Sequence, residues 1–389
     1  MRPLEGRRLW FVGIGGAGLS SYAFLARAWG AEIGGWDRVE TPYLRSLHGI
    51  ETVVAPDPVV PSGWEVVVSS AYPSVQGTSR ADFLAELVSL RRAIVVAGTH
   101  GKTTTTAMIA FVLAELGLDP AWLIGGEIAQ LGGNAGAGQG WLVVEGDESD
   151  RTVERLRPQI AVVTNVELDH HSTFASTAEL EELFERWLAE VPEVVRGWEL
   201  EPASVELVVP GVHNRCNAAA ALAALELAGV ARAEAEPVLS RFRGAGRRFE
   251  LVGEREGVTV VDDYAHHPSE IAATIAAARE RTDGRVLVLF QPHLYSRTRH
   301  LAHELGAALS AADSVCVTEI YRAREEPIEG VDGRLVVYAL RPGLRAGWAP
   351  RFEDGARLVA TWARAGDLVL TVGAGDVEQA GPLVLEALG

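Results

Sequence analysis

Lysine is almost missing from this chain. The sequence holds 35 Lys and Arg residues together, and Lys102 is its one lysine. Arginine is a rigid planar fork, whereas lysine is a compact charge on a flexible stem. A chain that uses arginine everywhere else keeps an ammonium at one place for a reason of geometry. Cysteine is scarce as well, with Cys216 and Cys316 only. That excludes a disulfide framework and suits free buried thiols in a reducing, cytoplasmic setting. No run approaches ~18 uninterrupted apolar residues, so no membrane span is expected. Met1 to Arg8 is charged and runs straight into an apolar stretch, which does not read as a signal peptide. Positive charge is short overall: against those 35 cations stand 52 Asp and Glu, for a net charge of −17. This argues against nucleic acid as a partner. An anionic substrate must then be met by local devices, namely helix N-termini, arginines or metal ions.

Apolar content of 48% over 389 residues is ample for two to three domains. Lys102 stands in Ala93-Ile94-Val95-Val96-Ala97-Gly98-Thr99-His100-Gly101-Lys102-Thr103-Thr104-Thr105-Thr106. The apolar run to Ala97 reads as a buried strand, and Ala107 to Leu116 as a helix. Strand, Gly-rich turn and helix form a phosphate cradle. Backbone N–H groups face the phosphate, Lys102 reaches the terminal phosphates, and the Thr103 hydroxyl can hold Mg²⁺. The common pattern GxxxxGK[ST] fails at one position, where Val96 replaces the first glycine. A Thr-rich cap on an ordinary strand-to-helix turn is the structural alternative.

A second glycine loop lies earlier. Leu9 to Val12 reads as a strand, Gly13-Ile14-Gly15-Gly16-Ala17-Gly18 follows, a helical pattern runs to Trp29, and a strand from Glu32 ends at Asp37. This context fits a nucleotide diphosphate at a helix start, and its spacing does not separate NAD from a UDP-sugar. Val66 to Val68 reads as a strand ending in Ser69-Ser70, Ser79 to Leu90 as a helix, and Arg92 as a domain boundary. Gly125 to Gly140 reads as a flexible loop. The strand Trp141 to Val144 ends in Glu145-Gly146-Asp147-Glu148-Ser149-Asp150, carboxylates placed where Mg²⁺ is usually held. Ile160 to Thr164 ends in Asn165-Val166-Glu167-Leu168-Asp169-His170-His171, and Ala178 to Leu188 reads as an amphipathic helix. Val205 to Val208 reads as a strand before Pro210-Gly211-Val212-His213-Asn214-Arg215-Cys216-Asn217 and an Ala-rich helix. The last part begins near Phe242. There Arg247-Arg248-Phe249-Glu250 leads into a hairpin-like pair, followed by Asp262-Asp263-Tyr264-Ala265-His266-His267-Pro268. Later strands end in Gln291-Pro292-His293-Leu294-Tyr295-Ser296-Arg297-Thr298 and in Gly373-Ala374-Gly375-Asp376. Polar clusters recur at the carboxyl ends of strands, where open α/β sheets bind ligands.

These motifs, in this order, resemble the Mur ligases, ATP-dependent amide-forming enzymes of peptidoglycan synthesis. Within them, Asp262–Pro268 with Gln291–Thr298 resembles the branch that adds L-alanine to UDP-N-acetylmuramate. The resemblance implies three open α/β domains: a Rossmann-like UDP-sugar domain at 1–92, a P-loop ATP domain with an abridged sheet at 93–243, and a Rossmann-like amino-acid domain at 244–389. It implies that Gly13, Gly15, Gly16, Gly18, Ser20, Asp37, Ser69 and Ser70 hold the UDP-sugar. ATP falls to Gly98, Thr99, His100, Gly101, Lys102, Thr103 and Thr104, with Asn214, Asn217, Arg248 and Asp263. Mg²⁺ falls to Thr103, Glu145 and His170, and alanine to Tyr264, His266, His293 and Arg297. Lys102, His170, His266 and Arg297 are the implied catalytic set. The implied reaction passes through an acyl phosphate, with catalysis by positioning and charge neutralisation.

Departures from the family pattern are also legible. Only His171 to Val209 separates the DH motif from PGxHN, so the central domain is shortened. Ser172 stands where an acid is common after the DH pair, and Arg322 where a proline is common. With one lysine, the chain cannot carry the carbamylated lysine of several Mur ligases. Two rival readings remain at this stage: a recycling ligase that joins a ready-made tripeptide to the same sugar, and a nucleotide-sugar sensor without catalysis.

Overall fold

The computed structural model describes residues 2–169, 173–323 and 325–389, with Ser46 described by its backbone. His170, a proposed metal ligand and catalytic residue, lies outside the described residues, as do His171 and Ser172. The first sheet comprises β1 (Arg8–Val12), β2 (Glu32–Asp37), β3 (Glu51–Val54), β4 (Glu65–Val68) and β5 (Thr78–Ser79), all parallel in the order β3-β2-β1-β4-β5. The second comprises β6 (Ala93–Ala97), β7 (Ala121–Leu123), β8 (Ala135–Ala137), β9 (Leu142–Glu145), β10 (Ile160–Val163) and β11 (Glu193–Arg196), in the order β11-β10-β6-β9-β7-β8. The third comprises β12 (Glu250–Arg255), β13 (Val258–Asp263), β14 (Val286–Phe290), β15 (Ser314–Val317), β16 (Arg345–Trp348) and β17 (Leu368–Val372), in the order β12-β13-β17-β14-β15-β16. Only β8 and β12 run antiparallel to their neighbours.

Parallel strands covered on both faces need apolar residues at every position. β6 and β14 are buried at every residue. In β14, Val286, Val288 and Phe290 enter one core and Leu287 and Leu289 another, as the two-residue repeat of a strand requires. The order of the first two sheets reverses around β1 and β6, and a glycine loop leaves each of those strands. Such reversal points open the crevice in which α/β sheets take ligands.

The chain packs as two compact units. One runs to Glu167 and takes in Ala178–Glu201 and Asn217–Phe242, so it holds the first two sheets. The other comprises Leu168–Thr177, Pro202–Cys216 and Arg243–Gly389, and holds the third.

Two local expectations are corrected. Val205 to Val208 forms no strand, and Val208 is 51% exposed. Strand propensity needs a partner to pack and pair with, and among the described residues no strand pairs with this stretch between Pro202 and Pro210. Gly125 to Gly140 is more ordered than its composition suggests, for it contains β8, paired antiparallel with β7. Gly136 explains the glycine content: a Cβ there would lie 2.3 Å from the Trp122 ring.

Candidate active site

The phosphate loop is set by backbone geometry. Gly98 has φ of +117° and a Cβ there would meet Thr164 Oγ1 at 2.3 Å, while Gly101 has φ of +80° and faces Asn217 Oδ1 at 2.2 Å. Both positions therefore need glycine. The loop is laced to the strand end beside it. Asn165 Oδ1 accepts from His100 N at 2.9 Å, Asn165 Nδ2 donates to His100 O at 2.9 Å, and Thr164 Oγ1 donates to His100 O at 2.6 Å. Thr99 Oγ1 donates to Glu167 O at 2.8 Å. Helix Lys102–Glu115 starts here, with Thr103 and Thr104 buried.

Lys102 is surrounded by oxygen. Its Nζ donates to Gly98 O at 2.6 Å, to Thr99 O at 3.1 Å, and to both carboxylate oxygens of Glu148 at 3.0 Å. Burial works against the Lys102 charge, but Glu148, Asp147 and Glu145 together hold its pKa above the ordinary value. Burial pushes Glu148, only 1% exposed, up to about 7 against the pull of Lys102. Glu148 did not stand out from the acidic run in the sequence. The available signal was position, since three residues past a buried strand end is within reach of the loop. Thr103 Oγ1 donates to Glu145 Oε2 at 3.2 Å, and Glu145 Oε1 accepts from Gly125 N at 2.6 Å. A hydroxyl and a carboxylate side by side form the hard-oxygen donor set that suits Mg²⁺.

The first glycine loop leaves β1 and enters helix Ala17–Ala28. A Cβ on Gly13, at φ of +88°, would lie 2.8 Å from the Ser69 side chain, so the serine end of β4 closes on the loop. Asp37 Oδ2 accepts from Gly15 N at 2.8 Å and Thr41 Oγ1 donates to Gly15 O at 2.7 Å. Ser20 Oγ donates to Ala17 O at 3.0 Å inside the helix. Asp37, expected at the ligand, props the loop that would receive one. Ser70 follows Ser69 at the same strand end. A cavity of about 300 Å³ joins the two loops within this unit: Gly18 and Tyr22 line one side, Lys102, Glu145 and Asp147 another, and Arg80 a third.

In the second unit the expected alanine residues gather where β13 and β14 end. The Tyr264 and His266 rings lie 5.3 Å apart, His266 and His293 5.7 Å, and His293 stacks on Tyr321 at 5.8 Å. Arg297 is not waiting for a free carboxylate. It is 5% exposed and holds Asp169, with Nη2 to Oδ2 at 2.9 Å and Nε to Oδ1 at 3.1 Å, while Nη1 meets His293 Nδ1 at 3.0 Å. Asp263 likewise serves the chain itself, accepting from Phe249 N at 2.7 Å, Ala265 N at 2.8 Å and Thr274 Oγ1 at 3.1 Å. Burial pushes Asp263 up to about 6 although Arg248 opposes it. Arg248 lies over the Tyr264 ring, 4.8 Å from its centre, and Asn214 Nδ2 donates to Pro210 O at 2.7 Å. The expected ATP residues thus divide: Gly98 to Thr104 and Asn217 belong to the first unit, Asn214, Arg248 and Asp263 to the second.

Burial lowers His266 to about 4, with Glu270 opposing. An unfolded histidine takes its proton near pH 6.5. Between those values protons bind the unfolded chain more than the folded one, so stability present above pH 6.5 is lost as pH falls towards 4. The loss from this group should reach about 2 kcal/mol at pH 5. Urea melts of the wild type and His266→Gln at pH 7 and pH 5 check this. The variant should lose less stability on acidification, and equal losses would place the titration elsewhere.

Residues 96–196 match the Mur ligase middle domain, and residues 247–375 match the family described as Mur ligase, glutamate ligase domain. The UDP-N-acetylmuramate–L-alanine ligase of Streptomyces coelicolor is 41% identical over 448 aligned positions, covering 97% of each chain. That alignment exceeds this chain's 389 residues by 59, so at least that many of its positions have no residue here. Among solved structures, the UDP-N-acetylmuramate-alanine ligase of Thermotoga maritima superposes with a TM-score of 0.80 at 27% identity, covering 98% of this chain and 99% of its own. The murein peptide ligase of Psychrobacter arcticus gives 0.66 at 25% identity, covering 99% of each. With its phosphate loop, its three α/β sheets and likeness along its full length, this chain belongs to the Mur ligase family.

Proposed function

We propose that the chain joins L-alanine to the lactyl carboxylate of UDP-N-acetylmuramate, with ATP converted to ADP and phosphate, in peptidoglycan synthesis. The observation that carries this reading is full-length identity of 41% to a ligase of that name. The higher TM-score against the alanine ligase than against the murein peptide ligase favours the free amino acid over a tripeptide. We also propose domain divisions at 92 and 243, which fall between sheets spanning 8–79, 93–196 and 250–372.

In this reading the first glycine loop receives the diphosphate of the sugar, and the phosphate loop receives ATP. The sugar's carboxylate oxygen attacks the γ-phosphorus, ADP leaves, and the alanine amine attacks the acyl phosphate to release phosphate. Lys102 lies against the terminal phosphates, drawing its ammonium from the Gly98 and Thr99 carbonyls. The backbone N–H groups at the start of helix Lys102–Glu115 face the same charge. Mg²⁺, when bound, would neutralise phosphate charge from the oxygens of Thr103 and Glu145, with His170 proposed as a third ligand. Arg297 fixes Asp169 and the His293 ring, and through them the pocket proposed for alanine. Neutral His266 offers a ring nitrogen to the incoming amine's proton.

Release of ADP measured with the sugar plus alanine, the sugar plus a tripeptide, or the sugar alone tests the reading. Turnover should need alanine; turnover with the tripeptide only would assign the chain to recycling, and none in any arm would mark a binding protein. Glu145→Gln should raise the Mg²⁺ concentration that gives half-maximal rate by about tenfold or more. An unchanged Mg²⁺ titration would take Glu145 out of the metal shell.

A further inference from the structure

Arg80 is assigned no task by the motifs, yet it stands where the two substrates must meet. It opens helix Arg80–Ser89, directly after β5, and lines the cavity shared by the first glycine loop and the phosphate loop. Its Nε is buried and has no hydrogen-bond partner among the described residues. The nearest carboxylates, Asp150 at 3.6 Å and Asp147 at 3.9 Å from Nη2, are beyond hydrogen-bond length. A Cβ on Gly18 would meet Arg80 Nη1 at 3.3 Å, so the guanidinium faces the first turn of the helix that follows the glycine loop. The side chain is 27% exposed, yet a buried N–H such as this Nε is costly to leave without an acceptor.

The cavity's other charged lining is Lys102, already bound by four oxygens, with Glu145 and Asp147. A carboxylate brought here is repelled by both acids. Among the lining residues, Arg80 is the cation not held by a hydrogen bond. Gly18 and Tyr22 line the same cavity as Arg80, so a sugar whose diphosphate sat on the glycine loop would have this space for its far end. We propose that Arg80 is a specificity-determining residue, receiving the lactyl carboxylate of the UDP-sugar in a two-bond fork and aiming one oxygen at the γ-phosphate. The assignment rests on the function proposed above. It goes further in naming the group that distinguishes a muramic sugar from one without the lactyl arm. Guanidinium and carboxylate geometries match for two parallel hydrogen bonds.

The test is calorimetric binding of UDP-N-acetylmuramate and of UDP-N-acetylglucosamine, which lacks the lactyl group, to wild type, Arg80→Gln and Arg80→Lys. The wild type should bind the muramic sugar more tightly. Arg80→Gln should weaken that sugar about 10- to 100-fold, the scale of a lost hydrogen bond to a charged group, and leave UDP-N-acetylglucosamine within about twofold. Arg80→Lys should recover part of the preference. The ratio of the two affinities does not depend on the fraction of correctly folded protein. An equal loss for both sugars would overturn the proposal and place Arg80 at the diphosphate or in the fold. An unchanged ratio would overturn it as well. Wild type that binds neither sugar would instead overturn the proposed function, before any variant is compared.

Discussion

Lys102→Arg is expected to abolish nearly all turnover while leaving UDP-N-acetylmuramate bound. The chain's preference for arginine makes this substitution a fair control, because charge is kept and only shape changes. Nζ sits among four oxygens at 2.6 to 3.1 Å, a roughly spherical nest for an ammonium. A planar guanidinium cannot fill that nest without moving the loop carbonyls that Gly98 and Thr99 present. The lost stabilisation of developing phosphate charge should be on the order of 2.7–4 kcal/mol, or roughly a hundred- to a thousandfold in rate. Steady-state rates and sugar affinity on one preparation check it. Activity above about a tenth of wild type, less than the ~1.4 kcal/mol that a tenfold loss represents, would refute a geometric role for the lysine.

Arg297→Ala is expected to unfold the second unit more readily. Arg297 and Asp169 are 5% and 4% exposed, and removing one partner strands a buried charge. Breaking such a pair costs about 3–5 kcal/mol. The variant should melt earlier and lose affinity for all substrates together. Arg297→Lys should recover part of the stability, because an ammonium supplies the charge without the fork. A double variant, Arg297→Met with Asp169→Leu, should regain much of the melting midpoint, since well-packed apolar pairs often replace buried ion pairs at little cost. It should not regain activity. If Arg297→Ala melts like wild type and raises only the KM for alanine, the guanidinium meets substrate as the sequence suggested, and the Asp169 contact is dispensable.

That contrast shows what the sequence can and cannot carry. The two glycine loops were legible because their chemistry is local: Gly13, Gly98 and Gly101 need left-handed backbone, and the strand before and the helix after follow from a few neighbouring residues. The third sheet's clusters were legible as strand ends. The partners inside the site were not. Lys102 finds Glu148 across 46 residues and Arg297 finds Asp169 across 128, pairings fixed by sheet order and invisible to any local pattern. Asp37 and Asp263 read as ligand residues because acids end their strands; in the structure Asp37 accepts from Gly15 N in the glycine loop after β1, and Asp263 from Ala265 N in its own loop. The short strands β3, β7, β8, β11 and β16 escaped notice because strands of three or four residues carry too little periodicity. The reverse error, Val205 to Val208, had the periodicity and lacked a neighbour.

The most direct measurement is the fate of oxygen-18 placed in the lactyl carboxylate of UDP-N-acetylmuramate. Incubation with the protein, ATP, Mg²⁺ and L-alanine should give the alanyl sugar by mass spectrometry. Each phosphate released should carry a labelled oxygen, because the carboxylate oxygen that attacks the γ-phosphorus leaves with it when the amine displaces the acyl phosphate. Alanyl sugar formed with unlabelled phosphate would contradict the acyl-phosphate route, and ADP released without alanyl sugar would contradict ligation itself.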